Sequence, residues 1–229
     1  MKMTVAIADK RNFGGKRKLS DVKYLVIHYT GNDGDTAAAN ARYFQSRIVE
    51  ASAHYFVDDD GVVQSVPEDS VAWSVGGKKY PSCVQSGGGK WYGKCTNNNS
   101  ISVELCDTKR NGKYDFSEKT LENAAELCRD LMRKHGIPIE NVIRHFDVVG
   151  KICPAPFVED VAAWKKFKKR LVEEVVEKDK IIINGKEYEV NMIRKDGVTY
   201  IKTRDLAQAE GIEVRSHGRM PVIMTSYPQ

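Results

Sequence analysis

Two imidazoles and one thiol are the groups in this chain best suited to hold a metal: His28, His145 and Cys153. Imidazole nitrogen and thiolate sulfur are donors that zinc prefers. Three such ligands leave the fourth tetrahedral position open for water, which is the arrangement of catalytic rather than structural zinc. His28 ends one apolar run, His145 ends another, and Cys153 follows His145 by eight residues in a proline-flanked loop. The separations alone do not decide the matter. A single histidine at a strand end is more often a hydrogen-bonded structural residue, and a single buried cysteine is more often a small hydrophobe.

The elements that must position these residues follow from periodicity and turn chemistry. KYLVIHYT (23–30) is a continuous β-favouring run, the pattern of a strand buried on both faces, and GNDGD turns the chain after it. Asp35 is expected to cap a helix running through Arg47, with Ala39, Tyr43 and Phe44 at helical spacing. AHYFVDDDGVVQSV reads as two strands joined by a hairpin at Asp-Asp-Asp-Gly, followed by a long Gly-, Lys- and Asn-rich loop from Ser74 to Asn99. SISVELC (100–106) is a further strand, closed by Lys-Arg-Asn-Gly. Ser117 is a good helix N-cap, with Phe116 and Leu121 as a hydrophobic staple and Leu121, Ala125, Cys128, Leu131 and Met132 facing inward up to Gly136. NVIRHF predicts a short strand and DVVGKICPAPF a loop. The spacing of Val161, Trp164, Phe167, Leu171 and Val175 predicts a helix over 158–177 with a lysine-rich outer face. The fold class is therefore α/β, a central mixed sheet flanked by helices.

Past the EKDK stretch the composition changes. IIINGKEYEV reads as a strand, Lys-Asp-Gly as a turn, VTYIKT as a strand, RDLAQAE as a helix closed by Gly211, and IEVRS and PVIM as strands. The expected organisation is a catalytic domain over 1–178 and a small α+β module over 179–229, whose core would be marginal alone.

Four ordered segments, VIHYTGN, SAHYFVDDDG, NSISVELC and RHFDVVGKICPAPF, resemble the type-2 N-acetylmuramoyl-L-alanine amidases over roughly residues 20–172. This zinc family includes phage endolysins, bacterial autolysins and animal peptidoglycan recognition proteins, and the likeness is to the endolysin and autolysin branch of Gram-positive bacteria. The resemblance implies Zn2+ held by His28, His145 and Cys153, with Glu104 as the catalytic carboxylate and Lys151 as the cation that stabilises the transition state. It also implies hydrolysis of the bond between N-acetylmuramic acid and L-alanine in peptidoglycan. Some relatives use a tyrosine where this chain has Ala53, which favours Glu104 for proton transfer. Without the resemblance, Glu104 could face solvent and Lys151 could be an ordinary exposed lysine. His54 is a candidate groove residue, with a packed strand histidine the equal alternative. Trp91 and Tyr92, in the glycine-rich loop, are candidate aromatic platforms for sugar or peptide. The C-terminal segment resembles the stalk-type modules similar to the copper amine oxidase N-terminal domain, which implies cell-wall binding; a spacer or dimerisation role is the alternative.

Composition bounds the partners. The 229 residues are 41% hydrophobic and 29% charged, with a net charge of +5 spread along the chain. No nucleic-acid motif accompanies that charge, so nucleic acid is not an expected partner, although weak attraction to anionic wall polymers stays open. No apolar run approaches the roughly 20 residues needed to span a bilayer, so membrane insertion is not expected. The N-terminal stretch lacks a secretory core, so the expectation is synthesis in the cytoplasm and action on the wall after the membrane is opened. The five cysteines form no CxxC pair; Cys83 and Cys95 could pair, with free thiols the default in a reducing cytoplasm.

Overall fold

The β-branched run before His28 can satisfy its backbone and bury both faces only inside a sheet, and β3 (Tyr24–Asp33) is such a strand, with Leu25, Val26 and Ile27 wholly buried. The computed structural model describes residues 1–81, 86–172, 176–195, 198–217 and 220–225. Two compact units result, Met1–Val172 and Glu173–Gln229.

The first unit contains, in chain order, β1 (Met3–Val5), β2 (Phe13–Lys16), β3, α1 (Ala37–Ser46), β4 (Tyr55–Asp58), β5 (Gly61–Gln64), β6 (Ser70–Ala72), β7 (Ser100–Arg110), β8 (Lys113–Asp115), α2 (Glu118–His135), β9 (Val142–Arg144), α3 (His145–Val149), α4 (Ala155–Glu159) and α5 (Val161–Val172). Its main sheet is mixed, in the order β1-β5-β4-β7-β3-β9, with β8 paired to β7 and with β2 and β6 forming a separate ribbon. Strands β4, β7, β3 and β9 run parallel, as do β1 and β5, and the β4–β5 and β7–β8 pairs are antiparallel. One face packs on α2 and α5, where Leu25, Ile27, Val103 and Leu105 meet Leu127, Leu131, Trp164 and Phe167. The other face meets α1 through Ala37, Ala41, Phe56 and Cys106. Helix α2 is set as its sequence predicts: the Ser117 hydroxyl accepts the Thr120 N–H at 2.9 Å, and Gly136 ends it in the left-handed region at φ 63°.

Several expectations change. Helix α1 is capped by Thr36, whose hydroxyl accepts the Ala39 N–H, not by Asp35. Its inner face is Ala37 and Ala41 with Phe44 partly covered, and Ala39 and Tyr43 are exposed, because only alanine methyls fit against the sheet there. His145 does not end a strand but opens α3, since the Asp147 carboxylate accepts the Arg144 N–H and draws the chain into a turn. Much of the expected DVVGKICPAPF loop is helical, in α3 and α4. Helix α5 starts at Val161, where the Asp160 carboxylate accepts the Ala162 and Ala163 N–H groups, and Glu177 belongs to a strand. Val161 is exposed, Trp164, Phe167 and Leu171 are buried, and Val175 lies outside the described residues.

In the second unit β10 (Glu177–Ile183), β11 (Lys186–Lys195) and β12 (Val198–Ile201) form an antiparallel sheet, and β13 (Ile212–His217) pairs with β14 (Met220–Thr225). IIINGKEYEV is two strands rather than one, because Asn184 and Gly185 both take positive φ (52° and 77°), the geometry of a tight hairpin turn. The segment expected as a helix is a 3-10 turn over Thr203–Gln208, and the Asp205 carboxylate accepts from the Asn191 backbone and side-chain amides.

Candidate metal centre

Register puts the first two site residues together. His28 on β3 is paired with Glu104 on β7, and neighbours in a parallel pair project on the same face. His28 Nδ1 lies 3.7 Å from Glu104 Oε1. His145, at the start of α3, brings its ring to 4.6 Å from that of His28. Gly150 then reverses the chain at φ 80°, and Cys153 O accepts the Phe146 N–H at 2.8 Å, so the loop folds back over α3. This delivers Cys153 Sγ to 3.7 Å from His28 Nδ1. One donor atom from each of His28, His145 and Cys153 lies within 4.8 Å of the other two.

The environment prepares the set as a ligand cage. Burial, then the neighbouring His145, Lys151 and His54 charges, pushes His28 well below the usual histidine range. Burial and Lys151 push His145 down to about 4. Both rings are therefore neutral at pH 7 and offer lone pairs. Burial, reinforced by the Glu104 charge, pushes the Cys153 thiol up, while the Tyr29 backbone N–H favours its thiolate. Glu104 is pushed up to about 8, first by burial and then by Asp107 and Asp35, with Lys151 opposing. Among the described residues, His28 Nε2, both His145 nitrogens and Glu104 Oε2 are buried without a hydrogen-bond partner. Buried polar atoms are rarely orphaned, and these belong to neighbouring side chains of one cluster. Nitrogen and sulfur ligands sharing a tetrahedral ion at about 2.05 and 2.3 Å would sit about 3.6 Å apart, and the observed 3.7 Å fits.

The comparisons with known proteins agree. The family model for N-acetylmuramoyl-L-alanine amidase matches residues 18–156, more than half of the chain and inclusive of all three donors and Glu104. The chain belongs to this amidase family. The N-acetylmuramoyl-L-alanine amidase CwlL of Bacillus licheniformis is 35% identical over 161 residues, which is 67% of this chain and 42% of that relative; the chain thus spans about two fifths of such relatives. Among solved structures, that of PlyL superposes with a TM-score of 0.59 at 28% identity, covering 76% of this chain and 98% of the other. A mutant endolysin from Bacillus subtilis gives 0.58 at 28% identity, covering 75% and 99%.

The other expected residues of this amidase-family site fall in different places. Lys151 is exposed, and its charge is felt at His28, His145, Glu104 and Cys153 together. His54 has no surface to offer a groove, being 0% exposed. Its Nδ1 accepts the Ser102 N–H at 3.1 Å, which puts the ring proton on Nε2, 3.2 Å from the Ser70 carbonyl oxygen that accepts it. The groove-lining reading of His54 therefore gives way to its alternative, a packed histidine tying β4, β6 and β7 together. Trp91 is partly buried, packed edge-on against Tyr24 at 5.4 Å, whereas Tyr92 is exposed and lines a cavity of about 460 Å³ with Trp73, Asn97 and Asn98. Cys95 is buried, and Cys83 lies outside the described residues. Sequence reasoning did not single out Arg144 and Asp147, whose bidentate pair (2.7 and 3.1 Å) sets the start of α3 and so the position of His145. The signal was present as Arg-His-Phe-Asp, an acid at the third helical position. The wall above them is tight: a Cβ on Gly88 would meet Gly150 Cα and the Phe146 ring, both at 2.9 Å.

Proposed function

We propose that the protein is a zinc-dependent N-acetylmuramoyl-L-alanine amidase, hydrolysing the amide between the muramic lactyl group and the first alanine of the stem peptide. The observation that carries this reading is the convergence of His28, His145 and Cys153 on one point, with a carboxylate, Glu104, 3.7 Å from His28. These three residues would hold the zinc, which when bound supplies Lewis acidity at the scissile carbonyl and acidifies water. Glu104 takes the proton of the attacking water and returns it to the departing amine. Burial raises its affinity for a proton above that of an ordinary carboxylate, which suits holding the proton for the amine. Lys151 faces the developing oxyanion, its charge already felt at every member of the cluster. Tyr92, with Trp91 behind it, forms one wall of the substrate groove.

The substrate is the peptidoglycan of a Gram-positive wall and the role is that of a phage endolysin, a reading supported by the likeness to a Bacillus subtilis endolysin. On this reading the enzyme reaches the wall once the membrane is permeabilised; among the described residues no helix is long and apolar enough to cross a membrane. The segment 179–229 is a stalk-like wall-binding module that raises the local concentration of the enzyme on an insoluble polymer. Digestion of purified walls followed by mass spectrometry tests the bond cut. Intact stem peptides with a free N-terminal alanine are expected, and cleavage within the stem or between sugars would overturn the assignment. Deleting 180–229 is expected to reduce pelleting with walls; unchanged pelleting would remove the binding role from that module.

A further inference from the structure

The loop between β3 and α1, the β4–β5 turn, the end of β7 and the N-terminus of α2 enclose a cavity of about 220 Å³ lined by Asp35, Asp58, Asp59, Asp60 and Asp107, with no lysine, arginine or histidine among the described lining residues. Two of these five carboxylates are occupied. Asp58 accepts the Ala37, Asp60 and Gly61 backbone N–H groups, and Asp59 accepts the Ser117 and Thr120 hydroxyls. Asp107 and Asp35 differ. Asp107 is only 4% exposed. Its Oδ2 accepts from the Gly31 N–H at 2.7 Å and the Thr30 hydroxyl at 3.0 Å, but its Oδ1 is buried with no partner among the described residues. Asp35 repeats the pattern, with Oδ2 accepting from the Asn40 amide and Oδ1 buried and unpartnered.

An orphaned buried carboxylate oxygen costs more than an orphaned neutral group, and two beside one cavity need more than a bridging water, which carries no charge. The repulsion is already expressed: Asp107 is pushed up to about 6, first by burial and then by the Asp35 and Asp33 charges. The lining offers hard oxygen donors, the class that calcium and magnesium take, unlike the nitrogen and sulfur set at His28, His145 and Cys153.

We propose that this cavity binds one hard divalent cation of the calcium type, ligated by Asp107 Oδ1 and Asp35 Oδ1 with water completing its shell. The ion ties the β3–α1 loop to the end of β7, because Asp107 also holds the Gly31 N–H and its carbonyl accepts the Gly34 N–H at 3.0 Å. The site is independent of the amidase reading and stands or falls without it.

The zinc-loaded full chain at pH 7.5, titrated with calcium chloride in a calorimeter, is expected to bind one ion per chain with a Kd of about 10⁻⁴–10⁻³ M, the weak end of calcium sites, as suits a low ligand charge count. At tenfold excess over Kd the melting temperature of the first unit is expected to rise by about 3 °C. Asp107→Asn and Asp35→Asn should each abolish both signals. Absence of heat in the wild type, an equal rise from sodium chloride at matched ionic strength, or a calcium response retained in either variant overturns the proposal. Should Asp107→Asn fail to fold, the half-buried Asp35→Asn decides alone.

Discussion

Two buried histidines, His28 and His54, stand on the same sheet in opposite circumstances. At His54 both ring nitrogens are accounted for by the Ser102 N–H and the Ser70 carbonyl. At His28 and its companion His145 three of the four ring nitrogens are buried without partners among the described residues. The same residue type at the same depth is thus satisfied by the fold in one place and left with unpartnered nitrogens in the other. What separates them is not burial or a displaced pKa, which both share, but whether the fold has already satisfied the polar atoms.

The sharpest way to break that contrast is to remove a donor from the unsatisfied cluster. Cys153→Ser is expected to lose bound zinc, measured by atomic absorption, and with it all dye release from walls; a variant that keeps both would mean the convergence is accidental. Glu104→Gln should retain zinc while activity falls by about 10²–10⁴-fold. Full activity in that variant would take the carboxylate out of the proton transfer.

The satisfied region should respond in stability rather than in chemistry. Arg17 donates to the Glu68, Asn97, Asn98 and Ser100 carbonyls beside His54, so Arg17→Met is expected to cost about 3 kcal/mol in urea denaturation with zinc content unchanged. Its neighbour Lys16 pairs with Asp69 on the exposed surface, and Lys16→Ala should change stability by less than about 0.5 kcal/mol. Comparable losses at the two positions would undo the distinction between a buried network and a surface pair. His54 also predicts a pH dependence. Its folded value is pushed down to about 3 by burial and then Arg17, below the ordinary 6.5, so the neutral ring is favoured by folding. That contribution is complete above pH 6.5 and is lost as pH falls from 6.5 towards 3, by at most about 1.4 kcal/mol per pH unit. A His54→Asn variant should show a flatter stability profile across that window; an unchanged slope would assign the acid sensitivity elsewhere.

Much of this was legible in the residues. The strands carrying His28 and Glu104 follow from apolar runs, and α2 from its serine cap and staple, because these are local signals. The pairing of His28 with Glu104 was not legible from them, since strand order in a parallel sheet is decided by packing over long separations. His145 opens a helix through a contact between Arg144 and Asp147 that pattern reading passed over, and Asn184-Gly185 split a run that β-propensity alone read as continuous. His54 shows the same lesson from the other side. The sequence left a groove residue and a packed histidine as equal alternatives, and only its partners at Ser102 and Ser70 reveal which it is.

The close approach of Gly88 to Gly150 and Phe146 has a consequence for how such an enzyme can change its specificity. The loop proposed to line the substrate groove rests on Gly150 and the Phe146 ring, at the turn that leads to Cys153. On the proposed reading, tailoring that loop for a new wall polymer would be transmitted to Cys153, coupling recognition to chemistry.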